Sequence, residues 1–215
     1  MLDNQIISQS STSKFLGLAI DQHLNWSNHV AMVLSRISSG LYALRKMSYI
    51  CSIETLTTIY FAYIHSIISF GISLYGATSN QIMDSILKIQ KQAIRIILHL
   101  DFNESVKEHF SSQNIMTVYS LYVFETVLYV KENFETVLKL GYNHEYNTRN
   151  KDKLFLQKHN LEFYRKKPSY IGAKFYNYLP LNIQNEANFN KFKGLLKVYL
   201  VNKALYTIDE FFMDK

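Results

Sequence analysis

A single cysteine, Cys51, stands in a chain of 215 residues, so neither an internal disulfide nor a multi-cysteine zinc site can be built from it. A reducing compartment is the simplest setting, and the chain is expected inside the cell, in the cytoplasm or the nucleus. Two prolines and seven glycines are too few for turn-dense sandwiches and barrels. Gly71 and Gly76 are the closest approach to a glycine-rich loop, and no Lys-Ser or Lys-Thr follows them, which sets nucleotide hydrolysis aside. His-Glu-x-x-His and a nucleophile elbow are absent as well, and the seven histidines are scattered. No catalytic residue, metal ligand or cofactor is therefore expected. Met1-Leu2-Asp3-Asn4-Gln5 has no basic region leading into an apolar run, so no secretory signal is expected. Charge is missing between Glu54 and Asp84, long enough to raise a membrane span. Thr57, Thr58, His65, Ser66, Ser69 and Ser73 interrupt that run and no Lys/Arg cluster flanks it, so it reads as a buried helix wrapped by its neighbours, with no membrane partner.

What is present is apolar content for a core. Hydrophobic residues make up 48% of the chain and aromatics 14%, enough for one globular domain or two small ones. Lys14 to Ile20 reads as a strand or as half of a hairpin. From Ser27 the period becomes helical, with Val30, Val33, Leu34, Ile37, Leu41 and Leu44 on one face, Ser27 or Asn28 as N-cap and Arg45-Lys46 at the carboxyl end. A second helix opens at Ser52 and runs until Gly71 or Gly76. A third spans Asn80 to His99, with Ile82, Ile86, Ile89, Ala93, Ile94 and Ile97 inward. A fourth, Thr117 to Leu140, is expected to show an acidic outer face of Glu125, Glu132 and Glu135 and to stop at Gly141. A last helix, Asn188 to Ala204, buries Phe189, Phe192, Leu195, Leu196, Tyr199 and Leu200. The fold class is mainly α, a bundle of about five to six helices behind a short N-terminal β-strand or hairpin.

The net charge is +6, and the last third holds the whole excess, with 12 basic and 6 acidic residues after position 150. There Lys151, Lys153, Lys158, Arg165, Lys166, Lys167 and Lys174 alternate with Phe155, Phe163, Tyr164, Tyr170, Phe175, Tyr176 and Tyr178. Cations track a phosphate backbone while aromatic faces stack on bases, the pairing of single-strand binders. Aromatics at helical spacing, such as Tyr170, Phe175 and Tyr178, usually make core, and solubility is the alternative account of the charge. Lys88, Lys91 and Arg95 fall at i, i+3 and i+7 on the third helix, one basic stripe two turns long.

Several segments together resemble a known family. Lys14-Phe15-Leu16-Gly17, followed by Asp21, Leu24, Trp26 and His29, resembles the stretch that closes the palm in reverse transcriptases of jockey-like non-LTR retrotransposons. In order along the chain, Glu54-Thr55-Leu56 with Tyr60 to Ser66 and Phe70-Gly71-Ile72 is similar to a helix of that family. Gln90-Lys91-Gln92-Ala93-Ile94-Arg95, Tyr146-Asn147-Thr148-Arg149, Leu179-Pro180, Phe192-Lys193 and Tyr206 before Glu210-Phe211 continue the similarity over about residues 12–212. The resemblance implies a primer-grip-like hairpin at Phe15, Leu16 and Gly17, and helices of a thumb that holds template-primer duplex.

The departures carry as much weight. The family's polymerase centre needs metal-binding aspartates upstream of that hairpin, and the intact enzyme would need magnesium. Only Asp3 precedes the hairpin here, and no Asp-Asp pair occurs. The chain is accordingly expected to be a carboxyl-terminal fragment of a longer reading frame and not an enzyme on its own. Three parts are expected: a palm-end hairpin remnant over 1–26, a thumb-like helical region over 27–141 and a basic aromatic helical region over 142–215. The residues expected to bind nucleic acid, an RNA–DNA or DNA primer-template, are Lys88, Lys91, Arg95, Arg149, Arg165, Lys166 and Lys167. The alternative is an inert helical remnant that self-associates through the surface the palm once covered.

Overall fold

The structure, a computed structural model, describes residues 10–133, 153–156 and 158–213. It opens on an antiparallel hairpin, β1 Thr12–Phe15 and β2 Leu18–Asp21, with Thr12 opposite Asp21 and Phe15 opposite Leu18. The apolar stretch expected as one strand is thus split by a turn at Leu16 and Gly17. Both turn residues have positive φ, 46° and 86°, the handedness that matches a two-residue hairpin to the twist of its strands.

Helix α1, Ser27–Met47, follows, with Val30, Val33, Ile37, Leu41 and Leu44 buried and Arg45 and Lys46 in its last turn. Its N-cap is Trp26 rather than Ser27 or Asn28. The reason is local: the Asn28 side-chain amide donates to Thr12 Oγ1 at 3.1 Å and ties the hairpin to the helix instead.

The next rod is segmented into α2 Ile53–Tyr60, a π-helical stretch Phe61–His65, and α3 Ser66–Ser69. Ser52 caps it, accepting from the Thr55 N–H. Leu56, Tyr60, Ile64 and Ile68 are all buried and recur every fourth residue. At 3.6 residues per turn such a repeat drifts by about 40° per step, and the wide turn at Phe61–His65 takes up the drift. The rod is not wrapped on all sides as expected, because Tyr63 and Phe70 remain 58% and 53% exposed. It breaks at Gly71 (φ 72°) and continues as α4 Ile72–Tyr75. Among the described residues no helix is long and apolar enough to cross a membrane.

Helices α5 Asn80–Leu98, α6 Lys107–Ser112 and α7 Val118–Glu132 complete the first part of the chain. Helix α7 is the centre of the molecule. Its ten residues from Val118 to Val127 are buried except Glu125, which is half-buried and so does not stand on an open acidic face; Glu132 is exposed. Glu135 and the expected stop at Gly141 lie outside the described residues. The surrounding elements are α8 Glu162–Arg165, α9 Pro168–Tyr178, α10 Leu181–Gln184, α11 Phe189–Lys203 and α12 Ile208–Met213. Helices α4, α5, α9 and α11 all pack on α7, and the buried side chains on both sides of position 142 form one core. In α11 the register differs from expectation at one edge: Leu195 is 41% exposed, while Val201 is buried.

Buried polar groups hold the centre in register. Gln90 on α5 is fully buried. Its side-chain NH2 donates to Tyr60 Oη at 2.9 Å and to the Met116 carbonyl at 3.2 Å, while its Oε1 accepts from the Val118 N–H at 2.7 Å. One side chain therefore joins the segmented rod, α5 and the N-terminus of α7, whose first turn has N–H groups with no intrahelical acceptor. Thr117 and Ser120 do the same toward α11. The Thr117 hydroxyl donates to the Leu205 carbonyl at 2.5 Å, and Ser120 Oγ donates to the Leu200 carbonyl at 3.1 Å and accepts from the Leu205 N–H at 3.2 Å.

Candidate nucleic-acid interface

The basic stripe on α5 does not survive as one free surface. Lys88 is exposed, but Lys91 lays its ammonium 3.9 Å from the Tyr206 ring centroid. Burial, with Arg95 second, lowers the Lys91 pKa from its ordinary value. The Arg95 guanidinium donates to the Glu104 carbonyl at 3.0 Å and lies over the Phe102 ring. Tyr206 also stacks under Lys107, which pairs with Glu210 at 3.0 Å, and Glu210 accepts from the Tyr206 N–H. Burial pushes the Tyr206 hydroxyl up to about 12. Two segments that carried the family resemblance, Gln90 to Arg95 and Tyr206 to Phe211, thus meet, and their contacts are internal.

The aromatics of the last third divide in the same way. Phe175 is fully buried and packs edge-on against Tyr122 and Phe211 at 5.7 and 5.3 Å. Tyr176 is buried, and Tyr178 meets Phe212 edge-on at 4.7 Å. Core packing accounts for them. Phe163 is the exception, 52% exposed on α8.

The basic run beside Phe163 sits where the chain can use it. Arg165 pairs with Glu162 at 3.4 Å, both well exposed, and donates to His159 at 3.2 Å; an exposed pair of this kind contributes little to stability. Lys167 crosses the Tyr164 ring at 4.4 Å, and Lys166 is exposed. Lys166 and Lys167 line a cleft of about 350 Å³ together with Phe163 on one side and Trp26, Ser27 and Ser79 on the other. Residues 140 apart in sequence thereby form a single basic and aromatic cleft. Arg149 lies outside the described residues.

The far wall is held by Asp21. Its Oδ1 accepts from the His23 and Asn25 N–H groups, both at 3.0 Å, and its Oδ2 from the Trp26 N–H at 2.8 Å. The Asn25 N–H is the largest cause holding this carboxyl below the usual aspartate value. The Thr78 hydroxyl donates to the Asn25 carbonyl at 3.3 Å and fixes the same loop to the start of α5. Leu24 and Trp26 are held at φ 52° and 62°, a region non-glycine residues seldom occupy. Behind them His29 is buried, accepting from the Ala19 N–H at 3.4 Å and packing against Tyr75 at 5.0 Å.

Three long helices begin at this cleft. The N-cap residues Trp26, Ser79 and Lys167 of α1, α5 and α9 all line it, none supplies a side-chain cap, and no first turn contains an acidic residue. Helix N-termini present N–H groups and partial positive charge, and the two lysines add full charges. The arrangement suits a phosphate with an apolar or aromatic neighbour. Sequence reasoning missed Trp26 and Ser79 as cleft residues; Trp26 was legible only as part of a family motif, and Ser79 gave no signal.

The hairpin tip expected to act as a primer grip stands clear of this cleft lining. Phe15 and Leu16 are 62% and 78% exposed, and Gly17 sits against the Phe70 ring, 3.3 Å from where a Cβ would be. Among the described residues no three His, Cys, Asp or Glu side chains converge as a metal-ligand set. No family model, no curated protein and no solved structure matches the chain.

Proposed function

We propose that this chain binds nucleic acid, as the thumb-like and downstream part of a reverse transcriptase of the jockey-like non-LTR retrotransposon type, and does not polymerise. The observation that carries the reading is the cleft in which Lys166, Lys167 and Phe163 face Trp26 and three uncapped helix N-termini. Backbone phosphates bind the lysines and the helix N-terminal N–H groups, while Trp26 and Phe163 supply apolar and stacking surface to a neighbouring base. Lys88 extends the contact along α5, and Arg165 adds charge beside the cleft. Lys91 and Arg95 act indirectly, by fixing the Tyr206 segment. The ordered family segments support the assignment by converging: Gln90 at the centre, Tyr206 and Glu210 over α5, and Phe192 and Phe211 in the core.

Anisotropy of the full chain against labelled RNA–DNA primer-template tests the reading. Charge reversal at Arg165, Lys166 and Lys167 weakens binding equally on all sequences, because phosphate contacts read no bases. Unchanged affinity in that triple variant removes the basic cleft from the proposal. A second reading, self-association, is favoured by the exposed apolar group Phe15, Leu16 and Phe70. Size-exclusion with light scattering separates the two: a concentration-dependent dimer abolished by Phe15→Ser with Leu16→Ser supports self-association, and a monodisperse monomer excludes it.

A further inference from the structure

Helix α7 is enclosed along its middle, yet one charged residue interrupts that enclosure. Glu125 opens onto a cleft of about 190 Å³ between the π-helical stretch and α11, a cleft with no residue in common with the basic one. Phe61 and Phe124 supply apolar walls, and His65, Asn114, Lys193 and Lys197 complete its polar rim. His65 ends the π-helical stretch, a distortion that costs regular hydrogen bonds and is concentrated at functional sites.

The polar groups are poised and unspent. His65 Nδ1 is buried without a hydrogen-bond partner among the described residues, and a buried ring nitrogen without a partner is costly to keep. Burial, with Lys197 second, brings the imidazole down to about 4, so the ring is neutral at pH 7. Burial likewise raises the Glu125 carboxyl, with Lys193 opposing and Glu132 reinforcing. Lys193 and Lys197 stand one turn apart on α11 and share a face. No ion pair within 4 Å joins either lysine to Glu125 among the described residues. Opposite charges facing one another across an open gap, rather than closed on each other, leave room for a group between them. With a neutral imidazole the two lysines outnumber the one carboxylate on the rim, which favours an anion.

We propose that this cleft binds a small organic anion with an apolar body: its carboxylate or phosphate monoester sits at Lys193 and Lys197 beside the His65 ring, and its body lies against Phe61 and Phe124. The site is independent of nucleic-acid binding. Benzoate and phenyl phosphate are the probes, with acetate and inorganic phosphate as the same head groups without the body. Calorimetry and imidazole NMR on the full chain read the result, the His65 signal being the one lost in His65→Phe. Benzoate or phenyl phosphate is expected to bind with a Kd of about 1 mM or below, to shift the His65 signal and to raise its pKa. The tighter of the two names the head group. Acetate and inorganic phosphate should bind about tenfold more weakly, for want of the apolar contact. Lys193→Gln with Lys197→Gln, both side chains being outside the core, should cost about tenfold in affinity at unchanged thermal stability. No His65 shift at about 10 mM of either probe, equal binding of acetate and benzoate, or an unaltered response in the lysine double variant overturns the proposal.

Discussion

Replacing Gln90 by leucine removes a hub without leaving a large hole. The native side chain satisfies Tyr60 Oη, the Met116 carbonyl and the Val118 N–H, all at the buried junction of the segmented rod, α5 and α7. Leucine fills similar space and satisfies none of them. A buried group stripped of its partner costs roughly 1–3 kcal/mol, so three such groups, partly offset by the apolar leucine, give a loss of about 3–6 kcal/mol. That is a large share of the roughly 5–15 kcal/mol that holds a domain folded. Urea denaturation followed by far-UV circular dichroism measures it, and thermal melting should fall by about 6–24 °C. Tyr60→Phe alone leaves the Gln90 amide bonded to Met116 and should cost about 1 kcal/mol. In the double variant the two losses should not add, because the Tyr60 hydroxyl stranded by leucine is then gone. A Gln90→Leu loss below about 1 kcal/mol, or strict additivity with Tyr60→Phe, would refute the hub.

Two alanine substitutions should have opposite signs. A Cβ at Gly172 on α9 would lie 2.6 Å from Val130 Cγ2 and 2.7 Å from the Thr126 carbonyl on α7, so Gly172→Ala should cost at least about 1–3 kcal/mol. A Cβ at Gly194 meets nothing within 4 Å, and Gly194→Ala in the interior of α11 should stabilise by about 0.5–1 kcal/mol; urea midpoints check both. Acid should destabilise the fold through His65, whose folded value near 4 lies below the ordinary 6.5. The unfolded chain then binds the proton first, so this contribution is complete above pH 6.5 and drains away as the pH falls to about 4, by about 3 kcal/mol in all. His65→Phe should flatten that limb, and buried His29, also lowered, should leave part of it. Asp21 acts at lower pH: its folded value lies below the ordinary 3.8, so its stabilisation is present above that value and is lost as the pH falls through the lowered one. The urea midpoints of native protein and Asp21→Asn should therefore differ at neutral pH and converge at the acid end.

The long helices α1, α5, α7 and α11 and the start of α2 were legible in the sequence because they rest on local periodicity and caps, whereas α6, α8, α9, α10 and α12 were not placed. Ser52 at the mouth of α2 and the apolar face of α1 needed no tertiary knowledge. Glu125 was misread as an open outer-face residue because an amphipathic pattern assumes one face in water, and the middle of α7 is covered by α4, α5, α9 and α11 together. Lys91 and Arg95 looked like a free stripe because their partners, Tyr206 and the Glu104 carbonyl, come from turns that periodicity cannot place. Of the proposed binding residues, Lys166 and Lys167 were legible as charge beside aromatics. What the sequence concealed was that the chain returns them to the hairpin junction, against Trp26 and a loop that the Asp21 carboxylate holds in shape.

The most direct test of that cleft is the salt dependence of primer-template binding by the native chain and by Lys166→Ala with Lys167→Ala. Phosphate contacts release counterions, so log K should fall linearly with log salt in both, and loss of two contacts should flatten the slope by about 1.8 while weakening binding at low salt on every sequence alike. Identical slopes and affinities, with the double variant folded, would contradict the account.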